Sequence, residues 1–397
     1  MTAEISILHV QNRAPGAADM VSRFTLERAR EALSFHRTVP GYAPTPLRSL
    51  PGLAEKLGVR GFWVKDESSR FGLNAFKGLG GSFCVAKLLS ERLGAASVLP
   101  FPELKAALDC GQIPAQPLIT ATDGNHGRGI AWIAGLLGLP ATVLMPAGSS
   151  PERLENIRSL SAFARITDLN YDDTVRLAAK TAEKTGALLV QDTAWPGYER
   201  IPDLIMQGYT TMGLEIAEEL PEEARPTHVF FQAGVGAMAG AMTGFFASLY
   251  GSAKPVITVV EPRAADCVFR TAKAADGELH AVRGALSTLM AGLACGEPCT
   301  IGWRELEARA EHFLSITDSV ALLGMRQLAK PLAGDPRIVS GESGAAGAGA
   351  AIALLSSPEL EPVRKALGLG RDAVLLCLST EGATDRKSFQ AITGQTP

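Results

Sequence analysis

The chain has 397 residues, 46% of them hydrophobic and 20% charged, with a formal net charge of -3. That length exceeds what one hydrophobic core usually organises, so two domains are expected. The near-neutral charge gives no electrostatic case for nucleic acid or an anionic membrane, and no apolar run approaches the roughly 20 residues needed to cross a bilayer. Met1 to Asp19 lacks a basic segment followed by an apolar one, so export is not expected and the cytoplasm is the default.

In chain order, Gly61-Phe62-Trp63-Val64-Lys65-Asp66-Glu67 reads as a strand. Lys77 follows, between Phe76 and the glycine-rich helix start Gly78-Leu79-Gly80-Gly81. An amine at a strand-to-helix junction suits a Schiff base to an aldehyde cofactor, with Phe76 as a low-dielectric wall. The apolar spacing then predicts a helix through Cys84 to Leu89, and 100–116 reads as a helical insertion. Pro117-Leu118-Ile119 is a strand leading into the loop Thr122-Asp123-Gly124-Asn125-His126-Gly127 and an apolar helix from Ile130. The run 141–146 is a buried strand, followed at Ser149-Ser150-Pro151 by a helix start with a serine cap. A strand at 163–167, a helix at 172–185 and a strand at 188–191 come next.

His228-Val229-Phe230-Phe231 precedes a second glycine loop, Gly234-Val235-Gly236-Ala237. A strand, a glycine loop and a helix N-terminus aim backbone N–H groups and a positive dipole end at one spot, which suits phosphate. A nicotinamide dinucleotide site and a plain tight turn remain open for this loop taken alone. The runs 256–260 and 373–378 are apolar on both faces, as central parallel strands are. The Gly/Ala-rich run 341–350 suits a closely packed helix better than a linker. The six cysteines are scattered, and Cys295-Gly296-Glu297-Pro298-Cys299 has no further ligand at short spacing, so no metal site is expected.

Taken together, the order of these segments resembles the fold-type II pyridoxal-phosphate enzymes, the tryptophan synthase β and serine/threonine dehydratase family. The segments that carry the resemblance are Thr45-Pro46-Leu47, Val64-Lys65-Asp66-Glu67, the Asn125 loop and Gln207 to Ile216, while Asn74-Ala75-Phe76-Lys77 replaces the family's more common Gly-Ser-Phe-Lys form. Val260-Glu261-Pro262, Ser343-Gly344-Ala345-Ala346 and Leu378-Ser379-Thr380-Glu381-Gly382 extend it over roughly residues 40 to 385. The resemblance implies an α/β fold with two open, twisted, mainly parallel sheets flanked by helices. It also implies a large cofactor-binding domain (1–87 and 193–397) and a smaller inserted domain (88–192).

Within that family, Asp123 in the glycine loop and the run Gln191-Asp192-Thr193-Ala194-Trp195-Pro196-Gly197-Tyr198-Glu199 are similar to the diaminopropionate ammonia-lyase branch. The resemblance implies pyridoxal 5'-phosphate as cofactor and α,β-elimination of D- and L-2,3-diaminopropionate to pyruvate and two ammonia. A serine/threonine dehydratase of the same fold is the alternative. Lys77 is implied as the Schiff-base residue and a base at Cα, and Gly234, Val235, Gly236 and Ala237 as the phosphate cradle. Asn125 is implied at the cofactor's 3-oxygen, and Ser379 or Thr380 at the pyridine nitrogen, where a neutral hydroxyl favours prompt elimination. Thr122, Asp123, His126 and Asp192 are implied at the substrate. Asp123 and Asp192 hold its amino groups, and Asp123 serves as a second base on the face opposite Lys77. A homodimer is implied as well.

Overall fold

The computed structural model describes residues 4–13, 22–122 and 124–397. Its strands there are β1 (Ile7–Gln11), β2 (Leu47–Ser49), β3 (Gly61–Asp66), β4 (Leu118–Ala121), β5 (Ala141–Met145) and β6 (Phe163–Ile166). They continue with β7 (Leu188–Leu189), β8 (His228–Gln232), β9 (Val256–Pro262), β10 (His312–Ile316) and β11 (Val374–Ser379). Seven of them form one sheet in the order β1-β10-β9-β8-β11-β3-β2. Its edge strands β1 and β2 are antiparallel to their neighbours, and the inner pairs are parallel. The other four form a parallel sheet ordered β6-β5-β4-β7.

Parallel strands covered by helices on both faces lose the alternation of inward and outward residues. Accordingly β8, β10 and β11 are buried at every position. The runs 256–260 and 373–378 become β9 and β11, both interior to the large sheet. The second sheet lies wholly within 88–192, and the expected boundary after residue 87 falls inside the continuous helix Gly78–Arg92.

Three local expectations differ from the structure. The run 188–191 pairs for only two residues. Gln191 leaves the ladder because its side-chain Oε1 takes the Ala121 N–H at 2.9 Å, while its own N–H donates to the Tyr198 hydroxyl at 3.0 Å. Ser150 occupies the N-cap of the helix Pro151–Arg158 without a side-chain cap hydrogen bond. Residues 341–345 turn instead of opening a helix, which runs over Ala346–Ser356. The Gly341 N–H is held by Glu381 O at 2.9 Å, and that of Ser343 by Glu381 Oε1 at 3.1 Å.

A buried ion network joins three of the segments that carried the sequence resemblance. Lys65 on β3, Glu67 and Arg70 just beyond it, and Glu215 on the helix Arg200–Glu219 have side chains no more than 2% exposed. Arg70 reaches Glu215 Oε2 at 2.7 Å and Glu67 Oε2 at 2.9 Å, and Lys65 reaches Glu215 at 2.9 Å. Thr45 bonds both carboxylates, and the Tyr42 hydroxyl donates to Glu215 at 2.9 Å. The two cations and two anions of this buried set offset one another, and the partly exposed Glu219 also reaches Lys65 at 3.5 Å. Removing one partner of a pair like this costs about 3–5 kcal/mol. The network anchors the turn that leads to Lys77.

Close backbone approach sets what faces Lys77. A Cβ on Gly208 would come within 2.5 Å of Leu79 O and 2.9 Å of Gly80 Cα, so the helices Gly78–Arg92 and Arg200–Glu219 touch glycine to glycine. The contact brings the Tyr209 ring to 4.8 Å from that of Phe76.

Candidate active site

In parallel α/β sheets, ligands gather beyond the carboxyl ends of the strands. Here the segments after β3, β4, β8 and β11 converge on a cleft with an empty volume of about 680 Å³. It is lined by Lys77, Thr122, Asn125, His126, Asp192, the stretch Gln232 to Met238, Ser343, Thr380 and Glu381, among others.

Lys77 caps the helix Gly78–Arg92 after a turn in which Phe71 and Asn74 adopt φ of 52° and 59°. Its Nζ lies 5.4 Å from the centre of the Phe76 ring and 5.8 Å from that of Tyr209, the apolar wall expected of Phe76. It pairs with Asp192 Oδ2. His126 Nδ1 stands 3.7 Å from the same oxygen, and Gln191 Nε2 is 3.3 Å from Asp192 Oδ1. Burial alone would raise the Asp192 carboxyl, but His126 and then Lys77 bring it down from 3.8 to about 2. Thr122 Oγ1 accepts the Gly124 N–H at 2.9 Å and that of Gly127 at 3.1 Å, curling the loop over the cleft. His126 Nε2 lies 2.8 Å from Val190 O, so its ring is held from both sides. Asp123 lies outside the described residues.

The loop after β8 presents a cradle. Gly236 has φ of 89°, a left-handed conformation natural to glycine, and it caps the helix Ala237–Tyr250. A Cβ on Gly234 would fall 3.1 Å from Cys295 Sγ and 3.2 Å from Leu293 Cα. Val235, Gly236, Ala237 and Met238 all line the cleft. The first N–H groups of a helix have no partner within it, and an anion is the natural complement. A phosphate therefore fits this loop and an aldehyde fits Lys77. Cys267 Sγ lies 3.7 Å from Gly234 O, so Cys267 and Cys295 both flank this loop, and neither is in a disulfide among the described residues.

At the end of β11 the two hydroxyl candidates separate. Ser379 is not among the lining residues, and its hydroxyl donates to Ser340 Oγ at 2.8 Å. Thr380 lines the cleft, and its Oγ1 accepts from Gln232 Nε2 at 2.9 Å. Asn125 Nδ2 donates to Glu381 Oε2. Burial raises the Glu381 carboxyl, Arg153 opposes this, and Glu342 adds to it. Sequence reasoning assigned no role to Gln232, Ser343, Glu381 or Tyr171, which also line the cleft. Ser343 and Glu381 stood inside the quoted segments and Gln232 directly after one, but nothing in spacing tells which side chain of a segment turns inward.

The family model described as pyridoxal-phosphate dependent enzyme matches residues 38–367. The diaminopropionate ammonia-lyase of Escherichia coli (strain K12) is 47% identical over 371 residues, covering 93% of this chain and 92% of that protein. The chain belongs to the diaminopropionate ammonia-lyase family of pyridoxal-phosphate dependent enzymes. Another member of this family, from Salmonella typhimurium, is 46% identical over 372 residues, covering 91% of each chain. The crystal structure of the Escherichia coli diaminopropionate ammonia-lyase in complex with D-serine superposes with a TM-score of 0.91. It is 45% identical and covers 98% of this chain and 97% of that one. Among the described residues no helix is long and apolar enough to cross a membrane.

Proposed function

We propose that this chain eliminates the β-amino group of D- and L-2,3-diaminopropionate with pyridoxal phosphate as cofactor, giving pyruvate and two molecules of ammonia. The observation that carries the reading is Asp192, a carboxylate buried in the cofactor cleft against Lys77 and His126. A substrate with a second ammonium group needs such a charge, and serine or threonine does not.

The bound cofactor supplies an aldehyde for the substrate amine and a ring that withdraws electrons from Cα. Lys77 would hold the aldehyde in the resting enzyme, and its Nζ, when free, would take the Cα proton of one isomer. The β-amino group leaves as ammonia from its protonated form, the form that Asp192 binds. The 234–237 loop holds the phosphate. Thr380 is the hydroxyl at the pyridine nitrogen, since Gln232 already donates to its oxygen and leaves its own proton for an acceptor in the cleft. Asn125 faces the 3-oxygen. Thr122 and His126 shape the substrate loop, and Asp192 binds the substrate's second ammonium. Released aminoacrylate takes up water to give pyruvate and the second ammonia. We further propose that 88–192 forms a smaller substrate-loop domain on a larger cofactor-binding one, and that the chain works as a cytoplasmic homodimer. The sequence resemblance supports the domain division and the homodimer.

The test of function is a parallel assay of purified holoenzyme on D- and L-2,3-diaminopropionate and on serine. Faster turnover of serine than of either diamino acid would return the chain to the dehydratase reading. Asp123, proposed from the sequence as the base for the D isomer, is examined in the same assay through Asp123→Asn. Activity on the D isomer should fall by about 10² or more, corresponding to about 2.7 kcal/mol, with the L isomer largely spared. Equal losses on both isomers would remove the division of labour.

Gly236→Asp tests the cradle. A side chain here is strained at φ of 89° and meets Val268 Cγ2 at 3.3 Å, and its charge opposes phosphate. Left-handed strain of about 1–2 kcal/mol and the loss of a charge-assisted hydrogen bond predict a cofactor Kd raised by about 10² or more. Equilibrium dialysis showing unchanged affinity would move the phosphate elsewhere.

A further inference from the structure

One buried carboxyl touches three walls of the cleft and has no part in the reaction described above. Glu381 is 1% exposed. Its backbone is stitched to the lysine segment. Ala75 and Glu381 form an antiparallel bridge, Phe76 N donates to Thr380 O at 3.1 Å, and Gly382 N donates to Asn74 O at 2.9 Å. Its side chain spans the other two walls, with Oε2 accepting from Asn125 Nδ2 and Oε1 from the Ser343 N–H at 3.1 Å. Each oxygen thus accepts one donor.

The two donors differ in one respect. The Ser343 N–H belongs to the backbone and cannot become an acceptor. The Asn125 side chain carries a donor end and an acceptor end of nearly equal shape, and it can turn over. Both Glu381 oxygens accept here, so the carboxyl fixes which end of the amide it receives. We propose that Glu381 is a positioning residue that sets the Asn125 amide, so that Asn125 offers the cofactor's ring oxygen an N–H rather than a carbonyl. One N–H of Nδ2 is taken by Glu381 and the second remains for that oxygen. The inference rests on the reading that places Asn125 at the 3-oxygen, and the experiment separates the two.

Glutamine at 381 keeps the shape but has one acceptor. That acceptor stays with Ser343, because an unsatisfied buried N–H costs about 1–3 kcal/mol. Its NH₂ then meets Asn125, which turns over and directs its carbonyl oxygen at the ring oxygen. The charge on that oxygen is no longer stabilised.

Absorbance of the holoenzyme is titrated with pH for the wild type, Glu381→Gln, Asn125→Ala and the double variant, alongside cofactor dissociation. Glu381→Gln should move the bound aldehyde toward its short-wavelength form, with a titration midpoint displaced by about one pH unit. On the Asn125→Ala background the same substitution should add no further spectral change. Equal changes on both backgrounds, or a wild-type spectrum in Glu381→Gln, would overturn the proposal. A wild-type spectrum in Asn125→Ala would instead overturn the reading beneath it. Should the glutamine variant not fold, Glu381→Met runs the same cycle, and its spectral change must likewise vanish without Asn125.

Discussion

Lys77→Ala abolishes both elimination and the Schiff-base absorbance of the holoenzyme. Lys77 is the amine that the turn after β3 delivers into the cleft, between the rings of Phe76 and Tyr209. Lys65, the nearby lysine on that strand, is fully buried in the ion network with Glu215 and cannot take its place. Losing a positioned base alone costs about 10²–10⁴ in rate, and losing the covalent anchor removes the resting form as well. Turnover should fall below detection, while the fold persists because the ion network and the Gly208 contact do not involve the Lys77 side chain. Borohydride reduction followed by mass spectrometry checks the assignment. Cofactor still attached covalently to the variant would place the Schiff base on another lysine.

The second large effect belongs to Asp192→Asn. Asparagine preserves size and some hydrogen bonding but removes the negative charge beside Lys77 and His126. If that charge holds the substrate's second ammonium, kcat/KM for diaminopropionate should drop by about 10²–10³, equivalent to about 2.7–4 kcal/mol. Serine, lacking the second ammonium, should lose far less. The ratio between substrates is the informative quantity. Equal losses would show Asp192 acting on Lys77 instead of on the substrate.

The same residue makes a pH prediction. Its carboxyl in the fold lies near 2, below its ordinary value of 3.8. A group depressed in this way stabilises the fold above its unfolded value and loses that contribution as pH falls through the folded value. Between about pH 4 and 2 the wild type should therefore lose stability that Asp192→Asn never had, and their thermal midpoints should converge. Near neutral pH Asp192 stays ionised, so it adds no limb to the activity profile there.

What the chain reveals unaided is what depends on neighbours in sequence. Strands such as 228–232 and 374–379 are legible because a buried parallel strand must be apolar throughout. The lysine between Phe76 and Gly78 and the Gly234–Gly236 loop are legible because each is one strand-to-helix junction, with its chemistry contained in a few consecutive residues. Tertiary structure alone decided what depends on distant partners. It separated Ser379 from Thr380, adjacent residues of which one bonds Ser340 and the other takes Gln232's amide in the cleft. It ended the strand at Leu189, because a glutamine side chain displaced the ladder bond. It joined Lys65, Glu67, Arg70 and Glu215 into one buried ion cluster, although Glu215 is 145 residues from Arg70. It also carried Asp192 to Lys77, 115 residues away. Burial and propensity act locally and leave a local pattern, whereas a charge or hydrogen bond is satisfied by whatever the fold brings within about 3 Å. That choice is not written in spacing.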